Sequence, residues 1–126
     1  MKIAGHFDHF NINVTDLARS IAFYRDALGL TEAKRKEAAD GSFILVYLTD
    51  GSGFSLELTW LRDHDQPYEL GENESHLCLR VEGDYDEVRK YHREMGCICY
   101  ENEEMGLYFI HDPDDYWIEI LPMKWE

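Results

Sequence analysis

The chain has 126 residues, 44% hydrophobic and 13% aromatic, which is enough for one folded domain with a substantial core. Its formal net charge of −14 argues against nucleic acid or an anionic membrane surface as a partner, because both would repel it. It has no apolar stretch that could span a bilayer and no signal-like start, and its three cysteines are expected to be reduced thiols: Cys78, Cys97 and Cys99. We therefore expect a cytoplasmic protein.

The first half of the chain predicts a strand, a helix and three further strands. Residues 6–14 alternate between polar and apolar side chains, which is typical of a strand. Asp16 opens a helix that ends before Gly29, and its apolar stripe consists of Leu17, Ile21, Tyr24 and Leu28. Three extended segments follow at residues 32–39, 43–49 and 54–60. The short glycine-containing turns between them predict antiparallel neighbours.

The second half predicts the same order of elements after a polar linker at residues 61–74. A strand is expected at residues 75–82, and Asp84 caps the next helix with Glu87 at capping-box spacing. The predicted apolar stripe of this helix is Val88, Tyr91 and Met95, and Gly96 ends it. The last three strands are expected near residues 97–101, 106–111 and 116–121.

The two halves are copies of one unit. At an offset of 67, residues 9–14 lie over residues 76–81, and Gly29 lies over Gly96. We therefore predict a single α+β domain, 1–126, of two tandem βαβββ modules: module one at 1–60, the linker at 61–74 and module two at 75–126. The modules are expected to form a cupped, mostly antiparallel eight-stranded sheet with the helices outside.

Strand phase selects four side chains inside the predicted cup. His9 shares a face with Asn11 and Asn13, opposite the apolar side chains of Phe10, Ile12 and Val14. The same reasoning places three more candidate metal ligands on the polar face, namely Glu57, His76 and Glu119, and it places Thr59 and Arg80 there as well. The remaining histidines have the wrong phase or no repeat-matched ligand role and are predicted to be surface or packing residues: His6, His64, His92 and His111.

Two imidazoles and two carboxylates suit Ni²⁺, Co²⁺, Zn²⁺, Fe²⁺ or Mn²⁺. In an octahedral ion, four protein ligands leave two positions that could hold adjacent substrate oxygens, such as those of a hydroxy-carbonyl or its enediolate. The metal would act as a Lewis acid, and a carboxylate could take a carbon-bound proton and return it to the neighbouring carbon.

With these residues the chain resembles the vicinal-oxygen-chelate superfamily, and within it the glyoxalase I (lactoylglutathione lyase) family, over almost its whole length. Three stretches carry the resemblance: residues 9–30, residues 56–76 with Glu-Leu-Thr, Tyr-Glu-Leu-Gly and His in succession, and residues 112–119. The resemblance implies a lyase that converts a methylglyoxal–thiol hemithioacetal to the thioester.

The resemblance also implies roles for individual residues. The metal ligands would be His9, Glu57, His76 and Glu119, with Glu119 as the catalytic base and Glu57 as its counterpart. Compact bacterial members of the family tend to use nickel or cobalt rather than zinc. The family usually forms homodimers in which modules of two chains complete each active site, so a shared site is expected here.

Departures from the family pattern fall in the region that binds the thiol. The family commonly has Arg where this chain has Asn13 and Asn where it has Leu61, and both help to hold the γ-glutamyl end of glutathione. Arg80 is the repeat-equivalent of Asn13, and we hypothesise that its guanidinium reaches the cup instead. The predicted contacts with the thiol part of the substrate, whether glutathione or another small thiol, are therefore Asn13, Thr59 and Arg80. Asp115 replaces a usual Gly, which a left-handed Asp would tolerate.

Three other functions were weighed. An epimerase of a CoA-linked acid would need basic residues near the mouth for phosphates, and the strong acidity argues against it. An extradiol dioxygenase would use two His and one carboxylate, which leaves Glu57 surplus. A metal-free drug- or metabolite-binding protein would have no reason to keep four matched ligands.

Overall fold

The computed structural model describes residues 1–125. The chain divides into two compact units, Met1–Tyr68 and Glu69–Glu126, and the division falls inside the predicted linker. Neither helix in the described part of the chain is long and apolar enough to cross a lipid bilayer.

The first unit is a four-stranded mixed sheet with one helix. Its elements, in chain order, are β1 (His9–Asn13), α1 (Leu17–Leu28), β2 (Thr31–Glu37), β3 (Phe43–Thr49) and β4 (Ser55–Leu61). The strand order is β1-β4-β3-β2, with β1 parallel to β4 and the other two pairs antiparallel. The predicted hairpins are therefore confirmed, and α1 is the crossover that makes the first and last strands parallel neighbours.

The second unit repeats this arrangement. Its elements are β5 (Leu77–Val81), α2 (Tyr85–Met95), β6 (Ile98–Asn102), β7 (Leu107–His111) and β8 (Trp117–Pro122). Their order is β5-β8-β7-β6, again with the outer first strand parallel to the last. The predicted α+β fold of two βαβββ modules is confirmed.

Both helices are bounded by the residues that the sequence indicated. The Asp16 side chain accepts a hydrogen bond from the Arg19 amide at 3.1 Å, and Asp84 accepts from Asp86 and Glu87 at 2.9 and 3.2 Å. These bonds satisfy amides that the first helical turn leaves without partners. Gly29 and Gly96 end the helices at φ values of 70° and 75°, a region that favours glycine because it has no Cβ.

The apolar strand faces form the core of each unit, with one exception. Ile12 and Val14 of β1 are buried, and so are Leu56 and Leu58 of β4. Phe10 was predicted to share this face, but it is 46% exposed. It lies near the start of an edge strand, where only one neighbouring strand contributes cover.

The predicted apolar stripe of α2 is wrong at Tyr91. Tyr91 is 46% exposed, whereas His92 is completely buried. Val88, His92 and Met95 follow at spacings of four and three, so His92 lies at the centre of the inward face. Its Nδ1 lies 2.7 Å from the hydroxyl of buried Tyr108, and this hydrogen bond allows a polar ring to pack in the core. His92 is thus a packing residue, as expected.

Candidate metal centre

In the first unit, the parallel pair β1 and β4 brings His9 and Glu57 together. Asn11 lies directly opposite Glu57, and His9 begins the same strand two residues earlier, on the same face. The His9 Nε2 atom lies 3.8 Å from Glu57 Oε1. The Glu57 side chain is only 11% exposed, so this carboxyl group is mostly withdrawn from water.

The other groups around this pair fix its orientation. Asp8 Oδ2 lies 2.7 Å from His9 Nδ1, and the Tyr47 ring packs edge-on against the imidazole at 5.4 Å. Tyr47 lies opposite Glu57 on the neighbouring strand. A hydrogen bond from its hydroxyl to the Glu57 carboxylate, with burial, raises the pKa of Tyr47. The hydrogen bond from His9 lowers the pKa of Asp8.

The second unit contains the corresponding pair. His76 directly precedes β5, and its Nε2 atom lies 3.2 Å from Oε1 of Glu119 on β8. Phe109 packs edge-on against His76 at 4.9 Å and lies opposite Glu119, in the place that Tyr47 has in the first unit. The Glu119 side chain is 16% exposed.

The hydrogen bonds of His76 place its Nε2 atom beside a carboxylate oxygen. His76 Nδ1 lies 2.9 Å from the backbone carbonyl of Glu74. A carbonyl only accepts, so Nδ1 carries the proton and Nε2 of the neutral ring presents a lone pair. That lone pair faces a carboxylate oxygen at 3.2 Å, and two acceptors so placed require a shared cation, either a proton or a metal ion. The donor set therefore fits a divalent metal.

Each unit supplies two such ligands. Within neither unit do the described residues include a group of three or more His, Cys, Asp or Glu side chains placed to hold a metal ion.

The structure places Asn13 and Thr59 together on the same face as His9. They are cross-strand partners on β1 and β4. The Thr59 hydroxyl donates to Asn11 Oδ1, and Asn11 Nδ2 donates to Asn13 Oδ1 at 2.9 Å. This chain of hydrogen bonds continues the polar face beyond the His–Glu pair.

Arg80 is held at the end of β8 in the second unit. Its Nη1 donates to the backbone carbonyls of Pro122 and Met123, each at 3.2 Å. The guanidinium is therefore engaged with the chain itself, and Arg80 meets a substrate only if it exchanges or shares these bonds.

A cavity of about 450 Å³ opens beside His76 in the second unit. Its floor includes the rings of Phe109 and Trp117, and its rim carries three carboxylates: Glu72, Glu74 and Asp115. Asp115 adopts a left-handed conformation with φ of 73°, as its place in the turn predicted, and its carbonyl accepts a hydrogen bond of 2.7 Å from Asn73.

Three residues of these surroundings were not identified from the sequence, namely Asp8, Tyr47 and Cys78. Cys78 lies opposite Glu119, and burial together with the adjacent Glu119 carboxylate raises the pKa of its thiol to about 11. The sequence feature that could have identified Cys78 was its position in the strand alternation, which places it on the same face as His76 and Arg80. For Asp8 the signal was an acidic residue directly before a candidate ligand. All three cysteines are free thiols.

Comparison with known proteins agrees with this geometry. Residues 6–120 match the Glyoxalase/Bleomycin resistance protein/Dioxygenase superfamily. The chain is 30% identical over 124 residues to the lactoylglutathione lyase of Neisseria meningitidis serogroup B, covering 92% of this chain and 89% of that protein. It is 32% identical over 121 residues to the probable lactoylglutathione lyase of Synechocystis, covering 90% and 92%.

Solved structures show the same likeness. The trypanothione-dependent glyoxalase I of Leishmania major superposes with a TM-score of 0.84 at 33% identity, covering 94% of this chain and 87% of that one. The fosfomycin resistance protein FosX of Listeria monocytogenes, in a complex with Mn(II), shares the fold with a TM-score of 0.78 at 16% identity, covering 97% and 95%.

Proposed function

Since the chain belongs to the Glyoxalase/Bleomycin resistance protein/Dioxygenase superfamily and is a glyoxalase I-like lyase, we propose that it acts on methylglyoxal. In this proposal, the substrate is the hemithioacetal of methylglyoxal with a small thiol and the product is the thioester. The reaction moves a proton between two adjacent carbons and needs no redox cofactor. We place the enzyme in the cytoplasm, where its three free cysteines would stay reduced.

The observation that carries the proposal is the distance of 3.2 Å between His76 Nε2 and Glu119 Oε1. The chain would bind a divalent metal through four ligands, and we propose nickel or cobalt, which suit imidazole and carboxylate groups: His9, Glu57, His76 and Glu119. When bound, the metal supplies Lewis acidity that makes the carbon-bound proton next to the carbonyl removable.

Glu119 is the base in this reaction, and Glu57 is its counterpart. Tyr47 lies opposite Glu57, and Phe109 lies in the equivalent place beside Glu119. Cys78 and His76 also lie next to Glu119. In the proposed reaction, Glu119 takes the proton from one carbon and returns it to the next. Glu57 remains a ligand on the opposite side.

We propose that the functional enzyme is a homodimer with shared active sites. Each unit presents one His and one Glu, and within neither unit do the described residues supply a third ligand. His9 and Glu57 would therefore complete a centre with His76 and Glu119 of the partner subunit. A twofold axis then generates two identical centres per dimer.

Asn13, Thr59 and Arg80 are proposed to contact the thiol part of the substrate. Asn13 and Thr59 continue the polar face of β1 and β4, whereas Arg80 contacts an anion by exchanging or sharing the bonds of its Nη1 to the carbonyls of Pro122 and Met123. The three carboxylates beside His76 repel the carboxylates of glutathione. A small thiol with less negative charge is accommodated at a lower electrostatic cost.

A rate measurement with metal-loaded protein tests this function. The protein is loaded separately with Ni²⁺, Co²⁺ and Zn²⁺, and methylglyoxal is premixed with glutathione, cysteamine or a neutral thiol such as 2-mercaptoethanol. Thioester formation with at least one thiol is expected, fastest with Ni²⁺ or Co²⁺. Full metal occupancy without turnover on any of these hemithioacetals would overturn the proposal.

A further inference from the structure

The two histidines of the site are held by different groups. His76 Nδ1 is bonded to a backbone carbonyl, that of Glu74. His9 Nδ1 is bonded instead to a side chain, the Asp8 carboxylate, at 2.7 Å. At the repeat offset, Asp8 corresponds to Ser75, so the second module has no carboxylate in the matching place. The difference is therefore a property of the first module alone.

Asp8 is well placed to orient His9. Its backbone carbonyl accepts a hydrogen bond of 3.1 Å from the amide of Ser55, which ties residue 8 to the start of β4. The Tyr47 ring contacts the imidazole edge-on at 5.4 Å. The imidazole is thus fixed by a carboxylate at Nδ1 and by the Tyr47 ring, with its Nε2 directed towards Glu57.

A carboxylate at Nδ1 has two consequences for a metal ligand. It favours the tautomer of the neutral ring that has its proton on Nδ1 and its lone pair on Nε2, and it increases the electron density that the imidazole offers to a cation. The charged acceptor forms a stronger bond than the neutral carbonyl beside His76. Because the Asp8 side chain is 72% exposed, its role does not depend on packing in the core.

We infer that Asp8 is a positioning residue for the metal centre: it fixes the tautomer and direction of His9 and thereby increases metal affinity on the first-module side. This inference rests on the proposed function only in requiring that His9 is a metal ligand. Asp8 itself touches neither substrate nor metal.

Metal affinity and tautomer are measured on the full chain for Asp8→Ala and Asp8→Asn. In Asp8→Ala, Ni²⁺ affinity in a competition titration with a chelator is expected to fall about 10- to 100-fold. In the metal-free protein, ¹⁵N NMR should show His9 changing from protonation at Nδ1 to a mixture of tautomers. Asp8→Asn keeps an accepting oxygen without the charge and is expected to retain the tautomer with an intermediate affinity.

The matched control is Asp63→Ala, which removes an exposed carboxylate and the same charge but contacts Arg62 rather than a ligand. It should leave both readouts unchanged. Wild-type affinity and tautomer in Asp8→Ala would overturn the inference while leaving the proposed function intact. Failure of the wild-type protein to bind Ni²⁺ through His9 would refute both, and the His9→Ala variant identifies that case.

Discussion

At the scale of single residues, identical ligand types in the two modules have different surroundings. His9 is bonded to a carboxylate and His76 to a carbonyl. Glu57 lies opposite Tyr47, whereas Glu119 lies opposite Phe109 and beside the Cys78 thiol. Since hydrogen bonding controls how freely a carboxylate accepts a proton, the pseudo-symmetric pairs can serve different purposes.

Glu119→Gln is expected to abolish most turnover without loss of fold. The amide oxygen can still coordinate a metal, but the amide cannot accept a proton, so the rate should fall about 10²- to 10⁴-fold. Turnover and bound metal are measured on the same sample. Glu103→Gln makes the same chemical change in an exposed turn and should leave the rate unchanged. Near-wild-type turnover in Glu119→Gln would show that another group is the base.

At the scale of elements, α2 is the support for the strands that carry Glu119. The Tyr85 hydroxyl donates to the carbonyl of Ile120 at 2.6 Å, next to Glu119. His92 and Tyr108 link the same helix to β7. Because α2 has few apolar side chains, these polar contacts and its caps carry much of its attachment. A change at the helix terminus therefore affects the stability of the second unit.

Asp84→Ala is expected to destabilise the protein by about 1 kcal/mol, because the amides of Asp86 and Glu87 lose their acceptor. The free energy of unfolding is measured by urea denaturation of metal-free protein, so that ligand binding does not mask the effect. Lys90→Ala, at an exposed position of the same helix, should change it by less than about 0.5 kcal/mol. Equal effects of the two variants would contradict the capping role.

At the scale of the whole molecule, each repeat carries only half of the proposed set of metal ligands. Duplication gives each unit one imidazole and one carboxylate on the polar face of a mixed sheet. In the proposed site, two ligands alone would hold a divalent metal weakly, so activity would depend on bringing unlike units together. In the proposed homodimer that requirement couples catalysis to assembly, and dissociation of the subunits would release the metal.

Mixing two inactive variants tests this coupling. Glu57→Ala chains, which lack a proposed metal ligand, and Glu119→Gln chains, which lack the proposed base, are unfolded together in equal amounts and refolded with metal. If sites are shared between subunits, half the dimers are mixed and each has one intact site, so about a quarter of wild-type activity should return. Each variant refolded alone supplies the baseline. No recovery from a mixture that forms heterodimers would place each complete site within one chain.

The sequence by itself determined the modules, the helix limits and the antiparallel hairpins, because these depend on local periodicity, capping residues and turns. The parallel pairing of β1 with β4 and of β5 with β8 was decided by the tertiary structure. Strand phase likewise indicated which face carries His9, Glu57, His76 and Glu119, and these roles stay predictions. It was wrong for Phe10 and Tyr91, because exposure depends on neighbouring elements that a periodic pattern does not contain. Only the tertiary structure brought Asp8 to His9 and Tyr47 to Glu57, since hydrogen bonds depend on distances and directions between side chains.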